Sequence, residues 1–142
     1  MLLSRDDILK ADDLETEDVS VPEWAPKGTP DPSACVVRLR MLTGTERDRF
    51  ERMMNEAQTS TNSSKKKLAE NFRARMISMC AVDENGNKLF NAGDIAALGT
   101  KSSKALSRVF DKCQQMNGFT ESDVEELTES FGESPSEPST SD

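Results

Sequence analysis

The chain has 142 residues, 26 acidic and 18 basic side chains for a net charge of −8, three cysteines, and neither histidine nor tyrosine. That length suits one small domain with one core. The missing imidazole excludes the Ser-His-Asp and Cys-His nucleophiles, the histidine general base and most transition-metal centres, so an enzyme and a bound cofactor are not expected.

Ser4 is placed to cap a short helix through Asp6, Asp7, Ile8 and Leu9, with the two aspartates near its positive end. Val19, Val21 and Trp24 read as an extended segment, and Pro22, Pro26, Pro30 and Pro32 force a loop over 25–32. Beyond it, Cys35 to Leu42 alternates, with Val37, Leu39 and Met41 on one side and Arg38 and Arg40 on the other. This is the pattern of a strand antiparallel to the first.

From Thr43 the period becomes helical. Thr43 with Glu46 forms a capping box, and Phe50, Met53, Met54 and Ala57 share a face. The polar run 58–64 reads as a loop. A second helix is expected from near Lys65, with Leu68, Phe72, Met76 and Met79 as its stripe. Asp83 to Lys88 is a turn, and its Asn-Gly pair favours type I′. The competing calcium-loop reading of Asp83, Asn85, Asn87 and Asp94 is disfavoured, because the glycine comes one place early and the last ligand is not glutamate. Asn91 with Asp94 opens a short helix ended by Gly99. Leu106, Val109, Phe110, Cys113 and Met116 mark the clearest helix, closed by Asn117-Gly118. Thr120 with Asp123 caps a last one carrying Val124 and Leu127, and after Gly132 no apolar side chain remains.

The expected fold is therefore mainly α (α+β). A β-hairpin over about 18–42 and four to five helices over about 44–131 form one domain, 1–131, followed by a disordered acidic tail, 132–142. Residues 1–23 hold eight acids against Arg5 and Lys10, a net of −6, and 121–142 hold eight acids and no base. The segment between them has 16 bases and 10 acids, so a basic middle lies between acidic flanks. The flanks either screen that middle or compete with an acidic partner for it. They would repel a polyanion, which argues against nucleic-acid binding.

No apolar run approaches the length of a membrane span, and three widely spaced cysteines read as reduced thiols of a soluble intracellular protein. Cys80 and Cys113 sit on or beside apolar stripes, where buried thiols are commoner than nucleophiles. Lys65, Lys66 and Lys67 lie in the first turn of their expected helix, unfavourably for its dipole, and with Arg73 and Arg75 form either a basic patch or a solvated face. The internal methionines fit a core by default and an adaptable apolar groove as the alternative.

Several segments in order resemble the tail assembly chaperones of long-tailed, siphophage-type bacteriophages: Leu2 to Leu9, Leu42 to Asp48, Asn71 to Arg75, Val82 to Phe90, Asp94 to Ser102, and Leu106 to Phe110 through Asn117-Gly118. The resemblance covers most of 1–131 and rests on order and spacing. It implies a non-enzymatic helical protein of the host bacterial cytoplasm, absent from the mature virion. Its implied work is to bind the tape measure protein, keep it soluble and promote tail tube polymerisation around it. The implied partners are the tape measure protein, the tail tube protein, a frameshifted longer form of the same chain, and further copies of itself. The proline-rich stretch 25–33 and the loop 58–64 depart from that pattern. On this reading Met53, Met54, Phe72, Met76 or Met79 make the apolar client contacts, and Lys65, Lys66 and Lys67 steer by charge. The alternatives are a structural tail or head-tail connector protein and, lower, an acidic DNA mimic regulating a host protein.

Overall fold

The computed structural model describes residues 1–59 and 70–118, the side chains of 57–59 excepted. Lys65, Lys66 and Lys67, most of the 58–64 loop, the expected helix after Thr120 and the tail 132–142 lie outside the described residues. Within them the architecture is mainly α with a small antiparallel sheet. Helix α1 spans Arg5–Lys10 and strand β1 Thr16–Ser20, and two 3-10 turns, Pro22–Trp24 and Pro32–Ala34, flank the proline-rich loop. Strand β2 follows at Val36–Arg40, then α2 at Gly44–Thr59, α3 at Phe72–Cys80, β3 at Ala81–Val82, α4 at Ile95–Leu98 and α5 at Ser103–Met116.

The strand order is β1-β2-β3, with Asp18 opposite Arg38 and Arg38 opposite Val82. The sequence pattern predicts two strands. The third is two residues long and comes straight out of α3, too short to show an alternation of its own. Leu39 on the central strand is fully buried, beneath a core of Phe50 and Met54 from α2, Phe72, Met76 and Ile77 from α3, and Leu106, Val109 and Phe110 from α5. The rings of Phe72 and Phe110 meet edge to face, 5.6 Å between centroids, which ties α3 to α5.

Three local expectations need correction. Helix α2 runs to Thr59 and takes in the first two residues of the expected loop. The helix carrying Met76 and Met79 starts at Phe72, because Asn71 adopts φ 61°, the left-handed region, and breaks helical continuity there. At the hairpin only Gly86 has positive φ, 85°, and Asn85 does not, so type I′ is ruled out. A wider turn forms in which Asp83 Oδ1 accepts the backbone N–H groups of Asn85 and Asn87 at 2.8 and 3.0 Å. The aspartate folds the turn onto itself through hydrogen bonds to its own backbone.

The left-handed Asn71 makes a second demand. A Cβ on Gly99, the residue ending α4, would lie 2.2 Å from Asn71 Oδ1 and 2.8 Å from its Cγ. Gly99→Ala is therefore expected to destabilise the protein by about 1–2 kcal/mol, and Asn71→Gly in the same chain to recover most of that loss. Equal losses with and without Asn71→Gly in a urea-melt cycle would place the cost elsewhere.

Candidate interaction surface

The sequence places Leu3 and Ile8 at the two staple positions around Ser4, and Ser4 and Asp7 at the two ends of a capping box. Both halves of the box form: Ser4 Oγ accepts the Asp7 N–H at 3.1 Å, and Asp7 Oδ2 accepts the Ser4 N–H at 3.0 Å. The Ser4 backbone and hydroxyl lower the Asp7 pKa. A helix of 6 residues is thereby held by its own local bonds, since none of its side chains is buried.

The helix and the residues before its cap present their apolar side chains to solvent: Leu2 is 96% exposed, Leu9 66%, and Leu3 and Ile8 58% each. Every residue from Met1 to Asp13 is exposed, and the chain joins the sheet at Glu15, whose carbonyl accepts the Met41 N–H. Residues 1–13 thus form an arm carrying an apolar cluster and four acids, Asp6, Asp7, Asp12 and Asp13.

Past the arm, the acids of the first flank are neutralised by the chain's own bases. Asp18 meets the Arg38 guanidinium at 2.8 and 3.1 Å, Glu23 takes two bonds of 2.7 Å from Arg108, and Glu17 pairs with Lys112 at 2.7 Å. The Arg108 bonds hold the Glu23 carboxyl down at about 2, and Arg38 likewise lowers Asp18. Of the two roles open to this flank, its second half screens the basic middle internally. The arm's acids make no such long-range pair among the described residues, and Asp6 bonds only the neighbouring Arg5.

Two polar joints hold the scaffold behind the arm. In the first, Glu46 accepts from Arg40 at 2.6 Å, from the Thr43 N–H at 2.9 Å and from Lys88 at 2.7 Å, while Lys88 also bonds the Met79 carbonyl. Burial raises the Glu46 pKa, but the bonds from Lys88, Thr43 and Arg40 outweigh it and bring the carboxyl down to about 2. A depressed carboxylate stabilises the fold above its ordinary value of 4.5 and loses that contribution as pH falls toward 2. Acid unfolding of Glu46→Gln should accordingly be flatter than that of the natural chain between these limits, and parallel curves would refute it.

The second joint is Asn117. Its Oδ1 accepts the Leu42 N–H at 2.8 Å, its Nδ2 donates to the Cys113 carbonyl at 2.7 Å and toward Cys80 Sγ at 3.9 Å, and its own carbonyl accepts from Arg47 at 2.8 Å. One side chain thus joins the β2–α2 connection, α3 and α5. Cys80 and Cys113 are fully buried, free thiols; hydrogen bonding from the Cys113 thiol lowers the Cys80 pKa, and the same interaction together with burial raises that of Cys113.

Of the side chains singled out as client contacts, Met54, Phe72 and Met76 are core residues at 2%, 3% and 1% exposure, and Met53 and Met79 are half-buried against that core. The methionine stripe lies on a closed core face, the default reading of it, and not in the alternative open groove, because α5 and the sheet cover the α3 stripe. Arg73 lies over the Phe72 ring at 4.7 Å and Arg75 bonds the Glu70 carbonyl. The sequence reading does not single out the arm as a site, although its signal is there: Leu2, Leu3, Ile8 and Leu9 lie in or just before a helix too short to bury them.

Among the described residues no group of three or more acids or cysteines is arranged to hold a metal, and no helix is long and apolar enough to cross a membrane. No family model, curated protein or solved structure matches the chain.

Proposed function

We propose that this chain is a tail assembly chaperone of a long-tailed bacteriophage, a binding protein that holds the tape measure protein soluble while tail tube subunits assemble around it. The observation that carries this reading is the exposed apolar arm, Leu2, Leu3, Ile8 and Leu9, set outside a core that is otherwise closed. A holdase needs apolar surface that its own fold does not consume, on a body that stays folded when the client leaves. The same segment is among those that resemble the family, so the two supports meet on one stretch of chain. The client contact accordingly moves from the methionine stripe to the arm.

Co-expression with the tape measure protein tests the proposal. The soluble fraction of the tape measure is expected to rise several-fold with this protein present, and equal insolubility with and without it would end the holdase reading. Mass spectrometry of purified virions separates the structural alternative: a chaperone is absent from them and a tail subunit is present.

A further inference from the structure

We infer that the arm is a docking element for a basic amphipathic helix, one with lysines or arginines flanking an apolar stripe, on a protein other than this chain. The inference rests on the reading of the arm as the client-holding segment and adds the chemistry of what it holds. Apolar side chains at Leu2, Leu3, Ile8 and Leu9 require an apolar counterpart. Around them Asp6, Asp7, Asp12 and Asp13 outnumber Arg5 and Lys10, so the counterpart must also tolerate or supply positive charge.

The described residues of a second copy do not meet both demands. Outside the arm, the large exposed apolar side chains among the described residues are Val36 and Leu89 alone, too few to cover the cluster. Arm against arm would bring like charge together. An anionic lipid surface meets the same repulsion. Downstream, Glu17, Asp18 and Glu23 already bond Lys112, Arg38 and Arg108, and within the arm Asp6 meets Arg5 and Asp7 caps the helix, so Asp12 and Asp13, just after Leu9 in the chain, are the arm acids without such a bond among the described residues. A helix bearing apolar and basic side chains on adjoining faces satisfies both halves of the arm at once.

The test is fluorescence anisotropy of two synthetic amphipathic peptides with the same leucine stripe, one filled out with lysine and the other with glutamate. The full chain should bind the lysine peptide at least ~10-fold more tightly, more weakly as salt is added, since about 1.4 kcal/mol of differential interaction is one decade. Leu2→Ser/Ile8→Ser/Leu9→Ser should lose ~10-fold or more of that binding, because each apolar side chain left in water forfeits up to about a decade. Its melting temperature should not change, and Asp12→Asn/Asp13→Asn should lose a smaller factor.

Equal binding of the two peptides, or undiminished binding by the serine variant, would overturn the inference. So would an oligomer in sedimentation that the serine substitutions dissolve, or arm-dependent flotation with zwitterionic vesicles, which would assign the arm to a second copy or to lipid. The chaperone reading fails separately, on an insoluble tape measure. A tape measure rescued equally well by Asp12→Asn/Asp13→Asn and by the natural chain, with no peptide preference, would leave the chaperone standing and remove the basic helix.

Discussion

Phe72→Ala is expected to lower the unfolding free energy by about 3–5 kcal/mol, the range for emptying a large aromatic site in a packed core. The ring is 3% exposed, lies edge to face on Phe110 at 87° between planes, and carries the Arg73 guanidinium, which also lies over the Phe110 ring at 5.7 Å. Removing it leaves Phe110 without its partner and opens a void between α3 and α5. Chemical denaturation reads the change directly as a shift in midpoint. A small domain holds only about 5–15 kcal/mol in all, so the variant should be close to its unfolding threshold at ambient temperature. A residue that served mainly as an exposed client contact would cost within about 0.5 kcal/mol. The two accounts of Phe72, core or contact, therefore differ by several kcal/mol.

Asn117→Ala is the second large effect, expected at about 2–3 kcal/mol. The backbone of Leu42, a buried residue, gives its N–H to Asn117 Oδ1, and the Cys113 carbonyl takes Nδ2. Alanine leaves that donor without its acceptor in a place water reaches poorly, and such an orphan costs about 1–3 kcal/mol by itself. Loss of the Nδ2 bond adds about 0.5–1.5 kcal/mol, with the overlap between them bringing the total below the sum. Hydrogen exchange gives the specific signature. The Leu42 amide should exchange far faster in the variant, while amides in the middle of α5 change only with global stability. An unchanged Leu42 amide would show that the bond contributes nothing.

Much of this fold is legible in local sequence. The three capping boxes at Ser4, Thr43 and Asn91 announce helix starts, because the side chain and the backbone it satisfies are only three residues apart. The stripe of α5 and the alternation of β2 name their buried faces correctly, with Val109, Phe110, Cys113 and Leu39 inside. What local sequence does not carry is whether a face is covered, and by what. Phe72, Met76 and Met79 have the spacing of a stripe that fits a core by default and a groove as the alternative, and the docking of α5 and the sheet decides for the core.

The converse holds for the arm. Its periodicity resembles that of any short amphipathic helix, and its distinguishing property is that none of its side chains is buried against the described residues. Asn71 was opaque for another reason. A left-handed asparagine costs little by the standards of its residue type, and Gly99 makes the room for it from 28 positions away.

The central claim is that the protein holds its client through the arm and keeps the methionine stripe for itself. It is tested most directly by the soluble yield of the tape measure protein co-expressed with Leu2→Ser/Leu3→Ser/Ile8→Ser/Leu9→Ser. These side chains are all more than half exposed, so the variant should melt with the natural chain. The account predicts that tape measure solubility falls to the level seen without any chaperone. Full rescue by this folded variant would contradict it.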